Sequence, residues 1–235
     1  NKSFESNQNQ EPINFNIFPE SKTNDNFQHA KDHINRFQFK SKESLLYDGS
    51  ALWQVHNKYI ISQINTGLVI IDQHVAHERV LYEEALNAFD STPLSAQTLL
   101  FPEELEFSPD EFTVLLEISS YLKKLGFRIK ENGKNKILLE AIPSDMKWGN
   151  ENTVIKDIID NYIANRKNSS SFMEDLAASF ACHAAVKAGD SLSTEEIRIL
   201  VNHLFLTKHP YYCPHGRPII IQLSLEELDK RFERI

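Results

Sequence analysis

The clearest hydrophobic signal in the chain is the run Leu68-Val69-Ile70-Ile71. Four consecutive apolar residues, three of them β-branched, behind the turn-like Asn65-Thr66-Gly67 predict a short buried strand. The pattern then breaks at Asp72-Gln73-His74 and resumes with helical spacing at Val75, Val80, Leu81, Ala85 and Phe89. That spacing predicts a helix over about 75–89. Upstream, residues 51–64 are enriched in β-branched and aromatic side chains and pair with 68–71 as a hairpin. Downstream, Gln97 to Pro102 is an extended, apolar, proline-ended peptide. Ser108-Pro109-Asp110-Glu111 opens a helix, with Ser as N-cap, Pro in the first turn and Glu at the third position; Gly126 ends it. Segments 127–129 and 137–142 flank Asn132-Gly133 as a second hairpin. Residues 153–164 read as an amphipathic helix, 165–171 as a polar loop, and 172–188 as an Ala-rich helix closed by Gly189. A second capping box, Ser193 with Glu196, opens a helix to about 208. A loop with three prolines, a strand over 219–223 and a short helix capped by Ser224 complete the chain.

This alternation predicts an α+β fold in two subdomains. Residues 45–96 and 169–235 form one subdomain from both parts of the chain, and 97–168 are inserted as a smaller unit. Residues 1–44 contain no Leu or Val and are rich in Asn, Gln, Ser and Lys. They read as a flexible linker, with a partner-binding peptide around Phe15 to Phe18 as the alternative. The chain opens on Asn rather than Met, so a preceding domain is expected. Its formal net charge of −8 excludes binding to DNA or membranes by bulk charge alone. No apolar run is long enough to span a bilayer, and two cysteines suit a reducing, cytoplasmic setting.

Candidate chemistry gathers in three distant places. Asp72, His74 and Glu78 lie at the strand-to-helix corner, with His74 and Glu78 four apart on one helical face. Cys182 lies on the Ala-rich helix, and Cys213-Pro214-His215 in the proline-braced loop. Thiolate, imidazole and carboxylate together suit zinc. Five or six ligands exceed one tetrahedral site, and a two-metal centre suited to a phosphodiester would use them all. Taken singly, Cys182 reads as core packing, and His77 and His183 as surface or supporting residues. A Cys182–Cys213 disulfide is a further alternative.

Asp72-Gln-His-Val-Ala-His-Glu78-Arg-Val-Leu-Tyr-Glu83 resembles the Asp-Gln-His-Ala-x-x-Glu-x-x-x-x-Glu endonuclease motif of MutL mismatch-repair proteins. Ala181-Cys182-His183 resembles that family's Ala-Cys-Arg motif, and Cys213-Pro-His-Gly-Arg-Pro218 is identical to a third. The resemblance covers about residues 50–235, the C-terminal region of such proteins. It implies a homodimer that nicks DNA as a latent, metal-dependent endonuclease. Asp72 and Glu78 would be catalytic, and His74, Glu78, Cys182, Cys213 and His215 would bind zinc. Manganese or magnesium would activate the site. Gln97, Leu99, Leu100 and Pro102 would form the peptide that docks on the replicative sliding clamp. The resemblance further implies an ATPase in the preceding domain, action with the mismatch-recognition protein MutS and a cytoplasmic location at the nucleoid; the net charge of −8 itself predicts weak DNA binding by this fragment alone.

Two residues depart from the family pattern. Val75 replaces Ala and adds bulk beside His74, while His183 replaces Arg. Arg217, Lys187 and His183 are the candidates for phosphate contact. The competing functional readings are a non-catalytic dimerisation and clamp-binding module with a structural zinc, and an unrelated zinc hydrolase. The hydrolase reading lacks a His-Glu-x-x-His helix.

Overall fold

The computed structural model describes residues 51–146, 149, 151–165 and 172–234. The linker and peptide read in residues 1–44 lie outside them, as does the polar loop after Asn165.

The first sheet contains β1 (Leu52–Val55), β2 (Tyr59–Ile64), β3 (Gly67–Asp72) and β7 (Ile220–Ser224), all antiparallel and in the order β1-β2-β3-β7. The predicted strand over 51–64 is thus two strands. His56 and Asn57 separate them with φ of 51° and 52°, and the Lys58 N–H donates to the Val55 carbonyl at 3.1 Å. This is the mirror-image turn that suits the twist of a hairpin. The second sheet, β4 (Ala96–Glu106), β5 (Arg128–Glu131) and β6 (Lys136–Pro143), has the order β4-β6-β5.

Six helices accompany the sheets among the described residues. They are α1 (Gln73–Asp90), α2 (Pro109–Lys124), α3 (Glu151–Asn165), α4 (Phe172–Ala184), α5 (Thr194–Leu206) and α6 (Leu225–Arg231). Both predicted capping boxes form, at Ser108 with Glu111 and at Ser193 with Glu196.

Helix α1 is central because two apolar cores close on it. Val75, Ala76 and Val80 face the inner side of the first sheet, packing with Ile60, Val69 and Ile71 and with Ile197, Val201 and Leu204 of α5. Leu81, Ala85 and Phe89 enter the other core, which holds Ile118 and Leu122 of α2, Leu139 of β6, Ile155 of α3 and Phe180 of α4. The helix is buried from two sides although its sequence is mixed, and it carries Glu78 and Arg79 into the interior.

Two helices stop short of their predicted ends. α4 ends at Ala184 rather than near 188 because the Val186 N–H, which would continue it, donates to His77 Nδ1 at 2.9 Å. α5 ends at Leu206 rather than 208, and the amides of Lys208 and His209 donate to the Glu83 carboxylate at 2.7 and 3.2 Å. In both cases a side chain of α1 takes the amide.

Gly67 starts β3 with φ of 148°, and a Cβ there would sit 2.1 Å from the Leu223 carbonyl oxygen. Backbone strain and steric overlap add at this position. Gly67→Ala is therefore expected to cost on the order of 3 kcal/mol, measured by urea unfolding.

Candidate metal centre

The β3–α1 junction has no intervening loop, so the polar corner is also the helix N-terminus. Asp72 is the N-cap: its Oδ1 accepts from the Val75 N–H at 3.1 Å. Its own N–H donates to the Ile219 carbonyl at 2.9 Å, joining the corner to the chain just after the proline-braced loop. Gln73 is fully buried and donates through Nε2 to the Asp190 carbonyl at 3.0 Å. His74 Nδ1 lies 2.8 Å from the Val186 carbonyl oxygen. A carbonyl can only accept, so Nδ1 carries a proton, which in the neutral ring leaves the lone pair on Nε2.

One turn into α1, Glu78 is 4 % exposed. Its carboxylate meets the loop after α5. Glu78 Oε1 lies 3.3 Å from His215 Nδ1, and the ligand atoms of Glu78, Cys213 and His215 all fall within 4.8 Å of one another. Cys213 is buried and His215 exposed, so the group opens to solvent on the imidazole side.

The loop has its own scaffold. The Cys213 N–H donates to the Arg217 carbonyl at 3.0 Å, the Gly216 N–H to the Cys213 carbonyl at 2.9 Å, and the Arg217 N–H to Cys213 Sγ at 3.3 Å. Gly216, with φ of 79°, makes the reversal possible. Burial pushes the Cys213 thiol above its ordinary pKa, against the backbone hydrogen bonds of Arg217 and His215, which lower it.

Cys182 stands outside the group of three and is exposed rather than packed in the core; partial desolvation first, then the Glu78 and Asp157 charges, raise its thiol, while Arg217 lowers it. It therefore lies within electrostatic reach of the Glu78 carboxylate. Both cysteines are free thiols, so the disulfide alternative does not form. The structure thus gathers a carboxylate, a thiol and an imidazole, with a second thiol, a second imidazole and the Asp72 N-cap on the elements around them.

A family model described as the MutL C terminal dimerisation domain matches residues 52–192. The chain belongs to this family. A DNA mismatch repair protein MutL of Chlorobium chlorochromatii is 46% identical over 209 residues, covering 87% of this chain and 32% of that protein. The MutL of Pelodictyon phaeoclathratiforme is 49% identical over 184 residues, covering 78% and 29%. That of Chlorobaculum tepidum is 48% identical over 184 residues, covering 78% and 30%. The chain thus spans about a third of the length of these relatives.

Glu83, the last carboxylate of the first motif, is not in the ligand group. It pairs with Arg79 at 2.8 Å and accepts the amides of Lys208 and His209, so it anchors the start of the loop that carries Cys213 and His215. Sequence reasoning assigned it no role, because the amides it holds lie 125 residues or more away. His183 has protein partners at both ring nitrogens: Nδ1 bonds the Ser179 carbonyl at 2.8 Å and Nε2 lies 3.4 Å from Asp157. Arg217 and Lys187 are exposed. In β4, Leu99 is buried, whereas Leu100 and Phe101 are 78 % and 81 % exposed and Pro102 is exposed. Gln97 Nε2 donates to the Met146 carbonyl at 3.3 Å.

Removing Glu83 leaves the Arg79 guanidinium, 7 % exposed, without its carboxylate. Glu83→Ala should cost about 3 kcal/mol in urea unfolding, and adding Arg79→Met should restore part of that loss.

Proposed function

We propose that this chain is a homodimerising, metal-dependent DNA-nicking domain of a mismatch-repair protein, one that also docks on the replicative sliding clamp. The observation that carries the reading is the convergence of Glu78, Cys213 and His215 from two distant stretches of chain. These are the donor types zinc takes, and His74, with its Nε2 lone pair, and Cys182 are the candidates to complete the set. A bound divalent ion supplies Lewis-acid stabilisation of the charge that develops on a phosphodiester. Because desolvation raises both thiols, ligation here would displace protons.

The chain's own residues supply the rest of the reading. Asp72 commits one oxygen to the Val75 amide, which fixes the carboxylate at the corner. In the proposed reaction its other oxygen takes the proton of the attacking water, with manganese or magnesium as the activating ion. Arg217, whose charge lowers both thiols, is the first candidate to meet a phosphate; Lys187 is a second. At a net charge of −8 the fragment binds DNA weakly by itself. A preceding ATPase domain, MutS and the clamp would localise it, in the cytoplasm. Among the described residues no helix is long and apolar enough to cross a membrane.

Self-association is what the matching family's description names. The uncovered face of the first sheet fits it. Trp53, Ile61, Ile70 and Ile221 align across β1, β2, β3 and β7, on the face opposite the core. Trp53 is 55 % and Tyr59 44 % exposed. For clamp docking, the support is the display of Leu100 and Phe101 beside the buried Leu99.

One observation favours the non-catalytic reading: Asp72 already has a structural task as N-cap and lies outside the ligand group. The two readings separate in a nicking assay. Asp72→Asn is expected to abolish manganese-dependent nicking of supercoiled plasmid with zinc content unchanged. A zinc-loaded wild type that never nicks, even with the clamp present, would leave only the structural-zinc module. Separately, Ile70→Asp is expected to convert the dimer to a folded monomer in light scattering; an unchanged dimer would place the interface elsewhere.

A further inference from the structure

His77 lies at a variable position of the first motif, one residue before the buried Glu78. Its Nδ1 accepts the Val186 N–H at 2.9 Å. An amide N–H can only donate, so Nδ1 carries the lone pair and the ring proton sits on Nε2. The carbonyl of the same residue, Val186, accepts from His74 Nδ1 at 2.8 Å. Two imidazoles three residues apart on α1 thus take both backbone groups of one residue.

The consequence reaches two proposed ligands. In a continuing helix the Val186 N–H would bond the carbonyl of Cys182, four residues earlier. Ala185 still makes its helical bond, to the Ala181 carbonyl at 3.0 Å, so the departure begins at Val186. Taking that amide turns the chain out of α4 just beyond Cys182. It also holds the Val186 carbonyl where His74 Nδ1–H can reach it. That second bond fixes the His74 tautomer and ring plane, the usual task of a group behind a metal-binding imidazole.

We propose that His77 is a positioning residue for the metal centre: by holding the Val186 amide it ends the Cys182 helix and sets the carbonyl that orients His74. This rests on the reading of the centre as a zinc site. The hydrogen bond is the part that matters, not the ring. In His77→Asn, Oδ1 stands one bond from Cγ, as Nδ1 does, and can accept the same amide. In His77→Phe the ring remains and the acceptor is lost. His77 and Val186 both line a cavity of about 490 Å³, which leaves room for the Phe ring.

The test uses the 235-residue chain stripped of metal, with zinc affinity measured by chelator competition and the site followed by cobalt absorption. Amide exchange at Val186 is measured in the metal-free variants. His77→Phe is expected to bind zinc 10–100-fold more weakly, to alter the cobalt spectrum and to speed Val186 exchange. His77→Asn is expected to restore most of the affinity and protection. Wild-type affinity in His77→Phe would overturn the proposal alone, as would a His77→Asn variant as weak as His77→Phe. A wild-type chain that takes up neither zinc nor cobalt would overturn the metal reading and this proposal with it.

Discussion

Side chains of one buried helix hold the backbone of the two segments that bring the other metal-ligand candidates. His77 and His74 take the amide and carbonyl of Val186, just past Cys182. Glu83 takes the amides of Lys208 and His209, shortly before Cys213. A hydrogen bond of this kind contributes only about 1 kcal/mol net, and somewhat more when a carboxylate accepts it. Its larger effect is geometric. These bonds hold the chain at, or just past, a helix end and so fix where the following segment departs.

The arrangement requires α1 to be rigid, and the two cores provide for that. Val75, Ala76 and Val80 are gripped on one side, Leu81, Ala85 and Phe89 on the other. Between them, Glu78 and Arg79 are carried into places where a charge is costly to leave unpaired. Arg79 is matched inside its own helix by Glu83. Glu78 is met across space by the imidazole of His215, in a cluster where a cation would balance the carboxylate charge. The asymmetry separates a structural ion pair from a site: one carboxylate is satisfied locally, the other by groups that also suit a metal.

Much of this was legible in the residues. Ser108 with Glu111 and Ser193 with Glu196 announced two helix starts, since a capping box is a local device. The Asn132-Gly133 turn was equally local. The meeting of Glu78 with Cys213 and His215 was legible because its chemistry is unusual, not because spacing required it. The His56-Asn57 turn was missed: its positive φ values fall on residues other than the expected glycine. The end of α4 was placed too late because the group that takes its next amide sits more than a hundred positions away, and that of α5 because Thr207 turns out of the helix and Glu83, equally distant, holds the amides beyond it. A long-range capture of a backbone amide has no signature in the segment it terminates. The role of Glu83 was hidden for the same reason.

The irregularity in β4 has a further effect. Thr98 pairs with Ala141 and Glu103 with Leu139, so the four residues Leu99 to Pro102 occupy the gap that Glu140 alone spans on β6. β4 is an edge of its sheet, eleven residues long. A straight edge of that length would offer a row of unused amides and carbonyls to any passing strand. The excess residues and the proline break that row in the middle. The distortion that lifts Leu100 and Phe101 into solvent thus also guards a protein with exposed apolar side chains against edge-to-edge polymerisation.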